Sequence, residues 1–76
     1  MDGVNHITAR WEQSEYYDID VDAEVTQFRC ITNIGTYWTE VFDESEKGIR
    51  SYKKQFESQV LRMIANDERP KWVQLT

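Results

Sequence analysis

The apolar residues between positions 45 and 65 follow a helical repeat, and no other feature of the sequence constrains the fold as strongly. Six of them recur at steps of three and four residues: Ile49, Tyr52, Phe56, Val60, Met63 and Ile64. Side chains at this spacing lie on one face of an α-helix. At about 100° per residue they fill a stripe about 120° wide, which is typical of a helix buried on one side. We therefore expect a helix over residues 45–65, packed against the preceding chain.

Four short segments before the helix have the pattern of β-strands. Tyr17, Ile19 and Val21, for example, alternate with polar residues, and this period of two is typical of a half-buried strand. The predicted strands cover residues 6–12, 15–22, 25–32 and 36–42. Short breaks between them favour antiparallel pairing. In the fourth strand Tyr37 and Trp38 point to opposite faces, so we expect one of them near the surface.

Residues that favour helix termini mark both ends of the predicted helix. Asp43 and Glu46 have the spacing of a capping box, and Ser45 is an alternative N-cap. We expect the helix to end near Asn66, because Pro70 prevents its continuation.

A short apolar tail follows the helix. Its apolar residues are Trp72, Val73 and Leu75, and they would pack across the domain, add an edge strand or dock on a second copy.

The whole pattern predicts one small α+β domain over residues 1–76, an antiparallel β-meander of three to four strands packed on one C-terminal amphipathic helix. A chain this short removes only about 60% of its unfolded surface from water, so self-association would supplement a modest core.

Formal charge is divided unevenly along the chain. Residues 1–46 hold eleven acidic and two basic residues, a net charge of −9. Residues 47–76 hold three acidic and seven basic residues, a net charge of +4. We therefore expect an acidic sheet and a basic helix.

The row of acids at positions 18, 20 and 22 is the candidate binding surface. In a strand, Asp18, Asp20 and Asp22 would project from one face at intervals of about 6.8 Å, a spacing comparable to that of phosphates along a nucleic-acid strand. Extended by Glu15 and Glu24, the row would fit a groove that a partner protein uses for DNA or RNA.

Two other interpretations of this acidic row stay open. The acids would simply keep an exposed strand face solvated, and Arg10 or Arg29 on adjacent strands would pair with them. A calcium loop is a poor match, because Ala23 stands where that loop needs glycine and Arg29 where it needs glutamate.

The predicted helix carries the basic residues of the second half. Lys53 lies at the edge of the buried stripe, and the other bases share one flank with an exposed leucine. The candidate secondary contacts are Lys47, Arg50, Lys54, Leu61 and Trp72. A helix with four bases would contact phosphate, but the net charge of −5 repels a polyanion.

Nothing in the sequence predicts an enzyme, a cofactor or a metal site. His6 is the only histidine, and no pattern places it beside Cys30 or a serine as base and nucleophile. The single cysteine cannot form an internal disulfide, which favours a reducing compartment, by default the cytoplasm. No apolar run approaches the roughly 20 residues of a membrane span, and the N-terminus lacks a signal-peptide pattern.

These features predict a small acidic binding protein without enzymatic activity. Its acidic sheet face would dock on a basic surface of a protein partner that handles nucleic acid, and inhibit it by steric and electrostatic competition. Small size, acidic charge and the lack of catalytic residues resemble those of virus- or mobile-element-encoded inhibitors of host factors.

The alternative is a homo-oligomeric domain, for example a homodimer, in which the basic helix flank of one copy meets the acidic sheet of another. A third possibility is direct nucleic-acid binding by Lys47, Arg50, Lys53 and Lys54.

Overall fold

The fold is a three-stranded antiparallel sheet with a helix on one of its faces. The computed structural model describes residues 6–42 and 45–75. Its elements, in chain order, are β1 (Ala9–Asp18), β2 (Ala23–Thr32), β3 (Gly35–Val41) and α1 (Glu46–Ala65). The strands pair in the order β1-β2-β3. The predicted α+β meander with a C-terminal helix is confirmed.

The prediction of two separate strands over residues 6–12 and 15–22 is wrong. A single strand, β1, runs through the polar residues 13–15, and residues 19–22 form the turn that leads into β2. The polar residues resemble a break because β1 is poorly covered on both faces. The turn resembles a strand because Ile19 and Val21 alternate with acids, but both side chains are exposed. Asp22 has a φ of 52°, which is incompatible with an extended strand.

The core lies between α1 and the inner face of β2 and β3. The register places Phe28 opposite Thr39 and Cys30 opposite Tyr37, and all four side chains are buried. The helix closes this face with its three buried residues, Phe56, Val60 and Met63. The helical repeat that predicted α1 is therefore the face that packs on the sheet.

The first strand, β1, lies beyond the reach of the helix backbone. Among the described residues, the backbone of α1 approaches β2 and β3 but not β1. The Trp11 side chain spans this gap and meets Phe56 edge to face, with ring centroids 6.0 Å apart and an interplanar angle of 83°. Trp11 nevertheless remains 39% exposed. The inner face of β1 is therefore largely open to solvent.

The helix begins at the alternative cap that the sequence offers. The Ser45 side chain accepts a hydrogen bond from the backbone N–H of Gly48 at 3.0 Å, which satisfies one of the free amides of the first turn. The other predicted cap, Asp43, lies outside the described residues. At the opposite end Asn66 is the C-cap, and Asp67 turns the chain away with a φ of 58°.

The C-terminal tail covers the free edge of β3. Trp72 forms a parallel bridge with Trp38, for which Trp38 N–H donates to the Lys71 carbonyl at 3.3 Å and Val73 N–H donates to the Trp38 carbonyl at 2.8 Å. Val73 is buried in the core. The tail therefore combines two of the three placements that the sequence allows, a short edge strand and packing across the domain.

The tail also decides which aromatic residue of β3 is buried. Tyr37 is fully buried, and its hydroxyl donates to the backbone carbonyl of Glu68 at 2.8 Å. Trp38 points to the opposite face and stays 36% exposed. A buried tyrosine needs such an acceptor for its hydroxyl, and only the tail supplies one in the described structure.

Removing the largest helix side chain from the core should destabilise the fold strongly. We expect Phe56→Ala to lower the free energy of unfolding by about 3–5 kcal/mol, because it leaves a cavity between α1 and β2. Leu61→Ala is the matched control, since Leu61 lies on the same helix but is 59% exposed, and we expect a change within about 0.5 kcal/mol. Urea denaturation followed by circular dichroism measures both. Equal losses in the two variants would contradict this account of the core.

Candidate functional site

The β1–β2 hairpin extends past the end of β3. The last residue of β2 with a partner on β3 is Thr26, which faces Val41. Beyond it, the two strands pair only with each other, to the final pair Asp18 and Ala23. We call residues 17–24 the hairpin tip. The described molecule is elongated, with extents of 49 × 21 × 17 Å, and the hairpin tip is a two-stranded projection without a third strand or a helix to cover it.

The hairpin tip presents apolar side chains to solvent. Ile19 is 82% exposed, and Tyr17 and Val21 are each 53% exposed. Single exposed apolar residues are common on protein surfaces. Three of them occur within five positions here, Tyr17 in β1 and Ile19 and Val21 in the turn, and we call these three residues the apolar patch. Exposed apolar residues that cluster on a surface mark contact sites.

Carboxylates surround this apolar patch. Asp20 and Asp22 are exposed in the turn, and Asp18 ends β1, where its Oδ1 accepts the backbone N–H of Asp20 at 2.9 Å. Glu24 lies opposite Tyr17 on β2, and Glu15 lies opposite Thr26 at the base of the hairpin tip.

The predicted straight row of acids on a strand face is therefore wrong. Because residues 19–22 form a turn, Asp18, Asp20 and Asp22 fan around its end instead of projecting from one face. The regular interval of about 6.8 Å, which requires an extended strand, does not apply to them. The structure still brings the five predicted acids to one end of the molecule.

The two arginines that would neutralise these acids bind elsewhere. Arg10 Nε lies 3.0 Å from Glu12 Oε2, and Arg29 Nη2 lies 3.2 Å from Glu12 Oε1. Arg29 Nη1 also donates to Ser14 Oγ at 2.8 Å and to Gln27 Oε1. Within the described part of the chain, no ion pair reaches any of the five predicted acids.

The sequence itself indicates this charge distribution. No lysine or arginine occurs between Arg10 and Arg29, although this stretch holds six acidic residues. A hairpin built from such a stretch has no base of its own, so its acids must pair with other elements or stay unpaired.

A tyrosine–carboxylate contact links β1 to β3 on the outer face of the sheet. The Tyr16 hydroxyl donates to Glu40 Oε2, and Gln27 Nε2 between them donates to the same oxygen at 3.4 Å. The hydrogen bond to Glu40, together with local burial and the negative charges of Glu40 and Asp18, raises the pKa of Tyr16 to about 12. This contact fixes the hairpin at the point where it leaves the three-stranded part of the sheet.

The candidate secondary contacts do not join the hairpin tip in one site. All five are exposed, but four lie on α1 and the fifth lies in the tail: Lys47, Arg50, Lys54, Leu61 and Trp72. Trp72 stands beside Trp38 on the outer face of the sheet, since the two are bridge partners. Of the acidic candidates, Glu15 lines a groove together with Arg50 beside the start of α1, whereas the hairpin tip itself carries none of the basic candidates.

Beyond the hairpin tip, the described residues include a buried thiol and an open groove beside β3. Burial raises the pKa of the Cys30 thiol, and Cys30 is fully enclosed in the core. Among the described residues, no group of three or more His, Cys, Asp or Glu side chains is arranged to hold a metal ion. An open groove of about 470 Å³ beside β3 is lined by Glu40, Tyr52, Trp72 and neighbouring residues.

Comparison with protein-family models, with curated proteins and with solved structures finds no match to this chain. In the described residues, no helix has both the length and the apolar character required to cross a membrane.

The Tyr16–Glu40 contact can be tested by titration. We expect Glu40→Gln to lower the pKa of Tyr16 from about 12 towards its ordinary value of about 10, because the charged acceptor is lost. The bond needs a neutral hydroxyl, so its contribution to stability is complete below about pH 10 and is lost as the pH rises through the folded pKa. Tyrosinate absorbance measures the titration. The absorbance change that disappears in Tyr16→Phe is the ionisation of Tyr16. An unchanged pKa of Tyr16 in Glu40→Gln would show that Glu40 does not raise it.

Proposed function

We propose that this protein is a non-enzymatic binding protein that docks its hairpin tip on a basic surface of a protein partner. One observation carries the proposal: the 82% exposed Ile19 sits at the end of a projecting hairpin, surrounded by carboxylates with no described ion-pair partner. A partner surface that fits would have an apolar pocket with lysines and arginines at its rim.

The two components of the hairpin tip would make different contributions to binding. Burying an isoleucine side chain contributes about 1.5–3 kcal/mol, so Ile19 would supply affinity at the centre of the contact. The acids would act mainly on the association rate and on specificity, since rim charges steer the encounter and are screened by salt. Binding is therefore expected to weaken as ionic strength rises.

Proteins that handle nucleic acid are the partner class that this surface favours. Their phosphate-binding surfaces are basic and open, and the acidic hairpin tip is complementary to them in charge. Occupying such a surface would exclude the nucleic acid by steric and electrostatic competition. Inhibition is thus the expected consequence of binding.

A matched pair of charge variants tests the acidic part of the proposal. The tip variant is Asp20→Asn, Asp22→Asn and Glu24→Gln, and the control is Glu57→Gln, Asp67→Asn and Glu68→Gln at the other side of the molecule. Each removes three negative charges from a chain of net charge −5. With a partner captured from cells and then purified, we expect calorimetry to show a Kd about tenfold higher for the tip variant and nearly unchanged for the control. A partner that binds both variants equally well would sink the proposal.

A separate variant tests the apolar part. Ile19→Ser should weaken binding of the same partner by about tenfold, because it removes most of the apolar contact. It should leave the thermal unfolding temperature unchanged, because Ile19 packs on nothing in the free protein. Full retention of affinity would show that the acids act without Ile19.

Direct nucleic-acid binding is a second candidate function, favoured by the exposed bases of α1. Lys47, Arg50, Lys53 and Lys54 are all exposed, and none forms an ion pair within the described residues. This function predicts a gel shift of DNA or RNA at low salt that disappears when the four bases are replaced by glutamine. A shift that survives those substitutions, or no shift at low salt, would exclude this surface.

A further inference from the structure

The free edge of β1 is a long, continuous template for strand pairing. β1 is the outer strand of the sheet, and no other strand among the described residues pairs with its outer side. The opposite edge of the sheet, β3, is covered by the tail through the Trp38–Trp72 bridge. An unpaired edge presents a row of backbone donors and acceptors to any strand that fits.

This edge carries four charged residues, Arg10, Glu12, Glu15 and Asp18, but lacks the bulge, proline and lysine that often prevent pairing. The β1–β2 register runs without interruption from the pair Ala9 and Thr32 to the pair Asp18 and Ala23, so β1 contains no bulge. Its ten residues include no proline, glycine or lysine. Natural edge strands are typically shorter, bulged, or interrupted by such residues.

We propose that β1 pairs with β1 of a second copy of this chain, antiparallel about a two-fold axis through Ser14. The result is a continuous six-stranded sheet with both helices on the same face. This contact differs from the homo-oligomer expected from the sequence, in which the helix flank and the tail would meet the acidic sheet. Val73 of that tail lies in the core and is not available for such a contact.

Charge complementarity selects this register from its neighbours. Two residues that lie opposite each other in an antiparallel strand pair point to the same side of the sheet. The two-fold axis must therefore pass through a residue that lies opposite its own copy. With the axis at Ser14, Arg10 faces Asp18 of the second copy on the outer face, twice per dimer, and Trp11 faces Tyr17 on the inner face. Opposite charges and aromatic pairs stabilise facing positions.

The neighbouring registers lack this match. With the axis at Gln13, Arg10 faces Tyr16 and Trp11 faces Glu15, so no opposite charges meet. With the axis at Glu15 or Glu12, the axial glutamate faces its own copy, and like charges directly opposite destabilise a pair. Arg10 is free to reorient, because its side chain is 69% exposed and its bond to Glu12 is a surface contact.

The pairing leaves both hairpin tips accessible. Asp20 lies six residues from the axis at Ser14, so at about 3.4 Å per residue the two hairpin tips would stand about 40 Å apart, at opposite ends of the sheet. The dimer would thus present two copies of the proposed binding surface. The β1–β1 pairing, however, does not depend on whether the hairpin tip binds a partner.

Sedimentation equilibrium with charge-swap variants tests the proposal. From the micromolar to the submillimolar range, we expect the wild-type chain to form a dimer. Arg10→Glu and Asp18→Arg alone should each raise the dimer Kd several-fold, and the double variant should restore it. Lys54→Glu is the control, since it changes the net charge as Arg10→Glu does but lies on α1. A monomer throughout the range, or equal effects of Arg10→Glu and Lys54→Glu, would overturn the proposal.

Cysteine cross-linking tests the register independently. Ser14→Cys places two thiols at directly facing positions, within reach of a disulfide, whereas Gln13→Cys places them on the diagonal and on the other face. Cys30 is fully buried and does not compete. We expect an oxidised covalent dimer from Ser14→Cys and little from Gln13→Cys. Efficient cross-linking of Gln13→Cys, or none of Ser14→Cys, would overturn the Ser14 axis.

Discussion

The packing of Phe56 against Phe28 sets the position of the helix and, through it, the rest of the structure. The two rings stack with centroids 6.0 Å apart, at the centre of the only large buried cluster among the described residues. Because this contact centres α1 over β2 and β3, the first strand receives little cover. Trp11 bridges to the helix through its ring contact with Phe56. The open inner face of β1 follows from where this one helix sits, and the projecting hairpin tip follows from β1 and β2 extending past the end of β3.

The charge distribution is consistent with this division between covered and uncovered chain. A carboxylate that loses its water without gaining a partner is strongly destabilising. The stretch between Arg10 and Arg29 is rich in acids and contains no base, so its acidic side chains can only stay solvated or bind to another element. In the fold, Glu12 is paired with both arginines, and the acids further along reach the uncovered end. The hairpin tip can carry this charge because its acids stay at least partly exposed to water in the described structure.

The sequence predicted the parts of the fold that depend on one clear periodicity. The apolar residues of α1 have a single period and a single buried face, so both its extent and its packing face could be predicted. β1 was divided into two strands instead, because the polar residues 13–15 interrupt its alternation and the exposed turn beside it alternates by chance. The burial of Tyr37 rather than Trp38 depended on the Glu68 carbonyl, a contact across 31 residues that no local pattern contains. The acids of the candidate site could be named from the sequence, but their geometry depended on the turn over residues 19–22.

The small core also explains why association is a reasonable way for this chain to gain stability. A 76-residue chain buries a modest share of its apolar surface, and here Ile19, Val21 and Tyr17 remain in water at one end. Each fully buried side chain of this size would contribute about 1.5–3 kcal/mol. Among the described residues, no third strand and no helix packs on the hairpin tip to provide this burial. The free edge of β1 likewise holds backbone donors and acceptors that pair with no other strand among the described residues. Both features are compatible with a stable monomer, since water satisfies the polar groups and the exposed apolar area is small. Both would contribute free energy only when a second molecule excludes that water, and for this reason the two surfaces are the places where this protein is expected to meet others.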